Sequence, residues 1–128
     1  MSLKAKGIRG ERDLVHKFWA AGWACLRIAG SGSSRYPSPD ILAGKGDRRL
    51  AIECKVTKDD KKYFDKDSIE KLDFFANVFG AQPWVAIKFQ SEPWVFLRTS
   101  ELEATGASFL ATKEKAKLNG LLFDEVSA

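Results

Sequence analysis

Between residues 50 and 56, apolar and polar side chains alternate. Leu50, Ile52, Cys54 and Val56 share one face of a predicted strand, and Ala51, Glu53 and Lys55 share the other. A second short strand is predicted over residues 39–44. The intervening Lys45-Gly46-Asp47-Arg48-Arg49 carries a Gly-Asp pair of the kind that turns a hairpin. Upstream, residues 7–21 follow the helical period, with Leu14, Val15, Phe18 and Gly22 on one side of the wheel. Residues 23–28 read as a first strand, on which Arg27 and Ile28 point to opposite faces. The Gly-, Ser- and Pro-rich residues 29–39 then form the most irregular stretch of the chain.

Beyond Val56, residues 57–64 are a mixed-charge loop. A helix capped by Asp67 or Ser68 runs to Phe79 and stops at Gly80, with Ile69, Leu72, Phe75, Ala76 and Phe79 in its apolar stripe and Phe74 and Val78 off it. Strands are predicted over 84–89 and 94–98, joined by Ser91-Glu92-Pro93. Trp84 and Trp94 read as packing residues. A short, weak segment starts at Ser100. The tail from Thr112 is lysine-rich and ends in Leu121-Leu122-Phe123, which fits an edge strand, a docking helix end or a peptide motif for a replication or recombination partner. The order is α-β-β-β-α-β-β. It predicts a single α/β domain spanning residues 1–128, with mobile tails at 1–6, which is basic, and at about 112–128.

Composition narrows this little. With 45% hydrophobic and 30% charged residues, the chain can bury one core. No apolar run approaches membrane-spanning length and no signal peptide is evident, so the expected location is the cytoplasm, at the nucleoid if DNA is the partner. Cys25 and Cys54 sit inside strand patterns and read as reduced core residues. An excess of 21 Lys and Arg over 17 Asp and Glu permits a polyanionic partner without requiring one.

The candidate chemistry lies on the hairpin, which folds Asp40 back beside Glu53 and Lys55. Two carboxylates and an ammonium in one small volume can hold a hard divalent cation and orient a water. Glu53-Cys54-Lys55 taken alone also fits an exposed charged face. Glu11 stands in the apolar stripe of the first helix, either turned inward to a partner or solvated in the first turn. The 29–39 loop is either a connector or a loop at the active site, offering hydroxyls and Arg35 to phosphates. His16 falls on the polar side and carries no role.

This arrangement resembles the PD-(D/E)xK nuclease superfamily. Pro39-Asp40 and then Glu53-Cys54-Lys55 stand in that superfamily's order. With Gly10-Glu11-Arg12, Leu26-Arg27-Ile28-Ala29-Gly30-Ser31 and the run from Ala51 to Lys58, the chain is more narrowly similar to the archaeal Holliday junction resolvases. The resemblance implies a restriction-endonuclease-like core, a mixed sheet of about five strands flanked by helices, and metal-dependent cleavage of four-way DNA junctions. It implies Glu11, Asp40, Glu53 and the Cys54 carbonyl as ligands of one or two Mg²⁺ ions, with Mn²⁺ able to substitute. Lys55 would orient the attacking water, and Ser31 would sit near the scissile phosphate. Arg12, Arg27, Arg35, Lys58, Lys61 and Lys62 would bind DNA. A homodimer would form through Phe74, Phe75, Val78 and Phe79: the wheel favours Phe74 and Val78, the motif Phe75 and Phe79. The rival readings are another repair or restriction-type nuclease on this fold, and a non-catalytic basic DNA-binding protein.

Overall fold

The computed structural model describes residues 2–128. A long first helix, α1 (Leu3–Ala20), begins four residues before the predicted start, because Ser2 caps it: the Ser2 hydroxyl accepts from the Ala5 amide at 3.1 Å. The predicted basic tail is thus helical from Leu3 to Lys6, and Met1 lies outside the described residues. Strands β1 (Ala24–Arg27), β2 (Ile41–Lys45) and β3 (Arg48–Thr57) follow. The β2–β3 hairpin turns on Gly46 and Asp47, and Gly46 takes the positive φ of 60° that such a tight turn requires. The charged stretch predicted as a loop is in part a strand, β4 (Lys61–Asp65), and α2 (Lys66–Phe79) starts from Asp65. Next come β5 (Gln82–Phe89), β6 (Val95–Arg98), β7 (Glu103–Ala104), β8 (Ser108–Thr112), α3 (Lys113–Asn119), β9 (Leu121–Leu122) and α4 (Phe123–Val126).

Six strands form the central mixed sheet in the order β1-β2-β3-β5-β6-β9. Among the described residues, the only parallel pair is β3 with β5, as expected where a helix connects them. Both faces are covered. Leu50, Ile52 and Cys54 pack with Leu14 and Phe18 of α1, while Ala51 joins Ile69, Leu72 and Ala76 of α2 on the opposite side. The face that carries Glu53 and Lys55 is therefore apolar at Ala51, under α2, and charged on either side of it, at Arg49 and from Glu53 onward.

A small second sheet, β4-β8-β7, accounts for most of the extra strands. The C-terminal stretch is folded onto the body: Phe123 meets Phe18 edge-on at 4.9 Å, Val126 is buried, and β9 pairs with the edge of β6. Trp84 and Trp94 are core residues, and both cysteines are buried and free. Among the described residues, no helix is long and apolar enough to cross a membrane.

Candidate active site

The site forms where the β2–β3 ladder comes apart. The ladder's last pair is Ile41 with Ile52, while β3 runs on to Thr57 against β5. Beyond Ile52, β3 has no neighbour on its β2 side, and Asp40 takes that place. The Asp40 amide donates to the Ile52 carbonyl at 3.0 Å, and the Asp40 carbonyl accepts from Ile28 at 2.8 Å, so its backbone is held from both sides. Its side chain is held as firmly. Oδ2 accepts the Cys54 amide at 2.8 Å, and Oδ1 accepts the Ser31 hydroxyl at 2.5 Å. In a strand, a residue's N–H and C=O leave by the same edge. The Cys54 carbonyl therefore also faces the open fork.

Glu53 and Lys55 project from the same stretch of β3, with Lys55 Nζ 3.6 Å from Glu53 Oε2. Burial, and then the charge of Asp40, push the Glu53 carboxyl up to about 7, against the pull of Lys55. Glu11 arrives from α1. Gly10 lets that helix come close, because a Cβ there would lie 2.9 Å from Val56 Cγ2 and 3.2 Å from the Trp94 ring. The Glu11 carboxylate accepts from Arg27 Nε at 3.0 Å, with both side chains largely buried. Burial and Asp40 raise its carboxyl as well, while Arg27 and Lys55 oppose the shift.

A cleft of about 680 Å³ joins Glu11, Ser31, Asp40, Glu53, Cys54 and Lys55, and Arg27, Lys58 and Lys62 line it too. Arg12, Lys61 and Arg35 lie outside this cleft. Arg12 is exposed beside Glu11, Lys61 reaches over the Tyr63 ring at 5.6 Å, and Arg35 lines a neighbouring cavity. The structure thus brings Arg27 to Glu11 and Ser31 to Asp40, pairings that the spacing of the motifs does not reveal. The Cys54 thiol is buried. Burial first, and then the carboxylates around it, push its ionisation well up, which leaves it a packing residue.

Among the described residues, no three acidic, histidine or cysteine side chains stand close enough to form a ready-made cation cage. The donors nonetheless fit a hard divalent ion. Asp40, Glu53 and Glu11 are all oxygen donors. Their partial burial and mutual repulsion leave two of them with raised ionisation, a strain that a cation relieves.

On α2, Phe74, Val78 and Phe79 are 61%, 71% and 51% exposed, and Phe75 stacks on Phe79 at 5.4 Å. Phe79 also borders an apolar groove with Trp19, Leu26 and Leu42.

The family model for archaeal Holliday junction resolvases matches residues 2–126. The crossover junction endodeoxyribonuclease Hjc of Archaeoglobus fulgidus is 46% identical over 107 residues, covering 84% of this chain and 79% of that protein. The protein of that name from Methanocaldococcus jannaschii is 35% identical, covering 94% and 86% respectively. The solved structure of A. fulgidus Hjc, described as a Holliday junction resolvase from an archaeal hyperthermophile, superposes with a TM-score of 0.89 at 42% identity. The match covers 95% of this chain and all of that one. With a clamped Asp40 at the fork of a shared fold, and a family match running almost end to end, the chain belongs to the archaeal Holliday junction resolvases.

Proposed function

We propose that this chain, a structure-selective endonuclease that resolves four-way DNA junctions, cuts at the β2–β3 fork with Mg²⁺ as its cofactor and works as a symmetric homodimer. The observation that carries the assignment of the site is the double clamp on Asp40 beside Glu53 and Lys55.

Asp40, Glu53, Glu11 and the Cys54 carbonyl are the groups that would hold the ion. When bound, a divalent cation neutralises charge on the phosphodiester and lowers the pKa of water. Oxygen ligands suit Mn²⁺ as well as Mg²⁺.

The remaining work falls to the chain's own side chains. Ser31 and the Cys54 amide fix both oxygens of Asp40, so that carboxylate is oriented before substrate arrives. Lys55, close to Glu53 and half in solvent, donates to the attacking water and to negative charge as it builds on the phosphoryl oxygens. Arg27 orients Glu11 and adds positive charge at the cleft wall. Lys58 and Lys62 line the cleft towards solvent, where they meet backbone phosphates.

One such site cuts one strand. A junction has approximate two-fold symmetry, and a two-fold dimer supplies two identical sites at a fixed separation. Contiguous exposure of Phe74, Val78 and Phe79 supports that assembly.

The test is cleavage of an immobile four-way junction beside a linear duplex of the same sequence. Paired nicks in the junction alone, requiring Mg²⁺ and stopped by a chelator, are expected. Equal cutting of the linear duplex would instead favour a repair or restriction-type role.

A further inference from the structure

A second, smaller cavity of about 140 Å³ lies on the α2 side of the same carboxylates, away from the Glu11 cleft. Asp40, Glu53 and Asp67 form part of its wall, and Arg35, Ser38, Ser68 and Lys71 are among the other residues that line it. None of these last four belongs to the cleft. The loop that encloses it is pinned to the site, because Ser31 bonds to Asp40 and the backbone from Gly30 to Ser34 closes a 3₁₀ turn.

The chemistry of the lining points to an anion. Arg35 makes no ion pair among the described residues; its guanidinium stands 5.7 Å over the Tyr36 ring. Among the described residues, Lys71 is tied only to Asp67, an exposed i,i+4 pair at 3.0 Å, which is worth little and exchanges readily. The Ser38 hydroxyl is buried and has no hydrogen-bond partner among the described residues, an arrangement that costs stability unless a ligand supplies one. The side chain of Asp65 leaves the first turn of α2 uncapped, so the amides near Ser68 remain free to donate. Of the carboxylates present, Asp40 and Glu53 are engaged at the reaction centre, and Asp67 is 74% exposed, so solvent screens its charge when Lys71 turns to a ligand.

We propose that this cavity seats the phosphate group adjacent to the one being cut, and that Arg35, Lys71 and Ser38 thereby fix the register of the cleaved strand over Asp40 and Glu53. The proposal rests on those two carboxylates marking the scissile phosphate. A neighbouring phosphate held by two cations and a hydroxyl places the reacting bond without touching it, which is a positioning role.

The test uses the full-length protein and a four-way junction whose cut site has been mapped. A single methylphosphonate, which removes one phosphate charge, is placed on the 5′ or the 3′ side of the cut bond. One placement is expected to slow cleavage by the parent roughly tenfold or more and to weaken binding in chelator several-fold, as loss of a charge-assisted contact should. Arg35→Ala/Lys71→Ala should cut the unmodified junction about as slowly. In that variant the methylphosphonate should add nothing, because the contact is already gone.

Indifference of the parent to both placements overturns the proposal. So does a multiplicative effect of variant and modification, or a slowing by an abasic flanking nucleotide where methylphosphonate has none. Asp40→Asn is run alongside. If it cuts at more than a few per cent of the parent rate, the carboxylate assignment fails and the subsite falls with it. If it is inactive while the methylphosphonate series is flat, the subsite alone is wrong.

Discussion

Arg27 donates to Glu11 across 3.0 Å, joining the C-terminal end of β1 to the third turn of α1 at the mouth of the cleft. The pair is mostly buried, so each partner shields the other from an unpaired charge. Removing one should cost more than an exposed ion pair would. Arg27→Ala is expected to lose about 1–3 kcal/mol of stability, and Glu11→Gln less, because the amide oxygen still accepts from Arg27. The double variant should recover part of the loss, and a double-mutant cycle by denaturant unfolding measures the coupling. Additive losses would mean that the two groups do not depend on each other.

Glu53→Gln and Asp40→Asn should each reduce cleavage to a few per cent of the parent rate or less while junction binding survives, since binding rests on phosphate contacts spread over the surface. The two differ in stability. Asp40→Asn can keep only one of its two clamps as an acceptor bond without rearrangement, and it should be less stable than the parent. Paired melting and single-turnover measurements separate the variants.

The raised carboxyl of Glu53 makes a statement about pH. Its folded value of about 7 exceeds the unfolded value of 4.5, so its protonated form favours folding. That contribution is complete below about pH 4.5 and is lost as pH rises through about 7. In chelator, the melting temperature should therefore fall between pH 5 and pH 8. The change should correspond to something on the order of 1–3 kcal/mol. Millimolar Mg²⁺ should remove the decline by giving the carboxylates a counter-charge, and Glu53→Gln should flatten it without metal. A decline that Glu53→Gln leaves intact would assign it to another group.

Much of this site is legible in the chain because its signals are local. The two-residue period of β3 and a Gly-Asp turn bring Asp40 to Glu53 with no knowledge of distant segments, and the fork follows once β2 is seen to be shorter than β3. What the sequence hides is non-local. Lys61 to Asp65 looks like a solvated charge run because its partner strand, β8, comes far later in the chain. The face bearing Glu53 looks polar because Ala51 gives no hint of the α2 packing above it. Of the three roles that the pattern of Leu121-Leu122-Phe123 allows, Leu121 and Leu122 take the edge strand, and Phe123 then opens α4. Ser38 and Lys71 carry no motif, and only the cavity between loop and helix brings them together.

Gly10 is the close-approach point of α1 on β3. Gly10→Ala should gain up to about 1 kcal/mol of helix propensity. It should lose about 1–3 kcal/mol to crowding against Val56 and Trp94, and the loss should win because the nearest atoms belong to packed side chains. Moving α1 outward also carries Glu11 away from Asp40, so activity should fall by more than the melting temperature suggests. Val56→Ala removes the atom 2.9 Å away and should restore both in the double variant. Restored stability with activity still lost would show that Gly10 matters to the site by another route.

The exposed end of α2 tests the dimer. Phe74, Val78 and Phe79 are all more than half exposed, so replacing them costs little core packing, unlike Leu72 or Ala76 beneath them. Their loss should therefore act on assembly rather than on folding. Phe79 is the most informative of the three, because it stacks on Phe75 and also edges the groove with Trp19, Leu26 and Leu42 on the β1 side of the sheet. A partner seated on Phe79 would cover both surfaces at once. Val78→Lys and Phe79→Ala are expected to keep melting temperatures within a few degrees of the parent at low protein concentration, yet to sediment as monomers at micromolar concentration. Such monomers should still nick a junction, since Glu11, Asp40 and Glu53 sit in one chain. The two nicks should then become uncoupled, so that singly cut junctions accumulate in a supercoiled cruciform assay. Coupled cutting by a protein that sediments as a monomer would rule out this face as the basis of paired cleavage. A parent that is itself monomeric on the junction would rule out the dimer altogether.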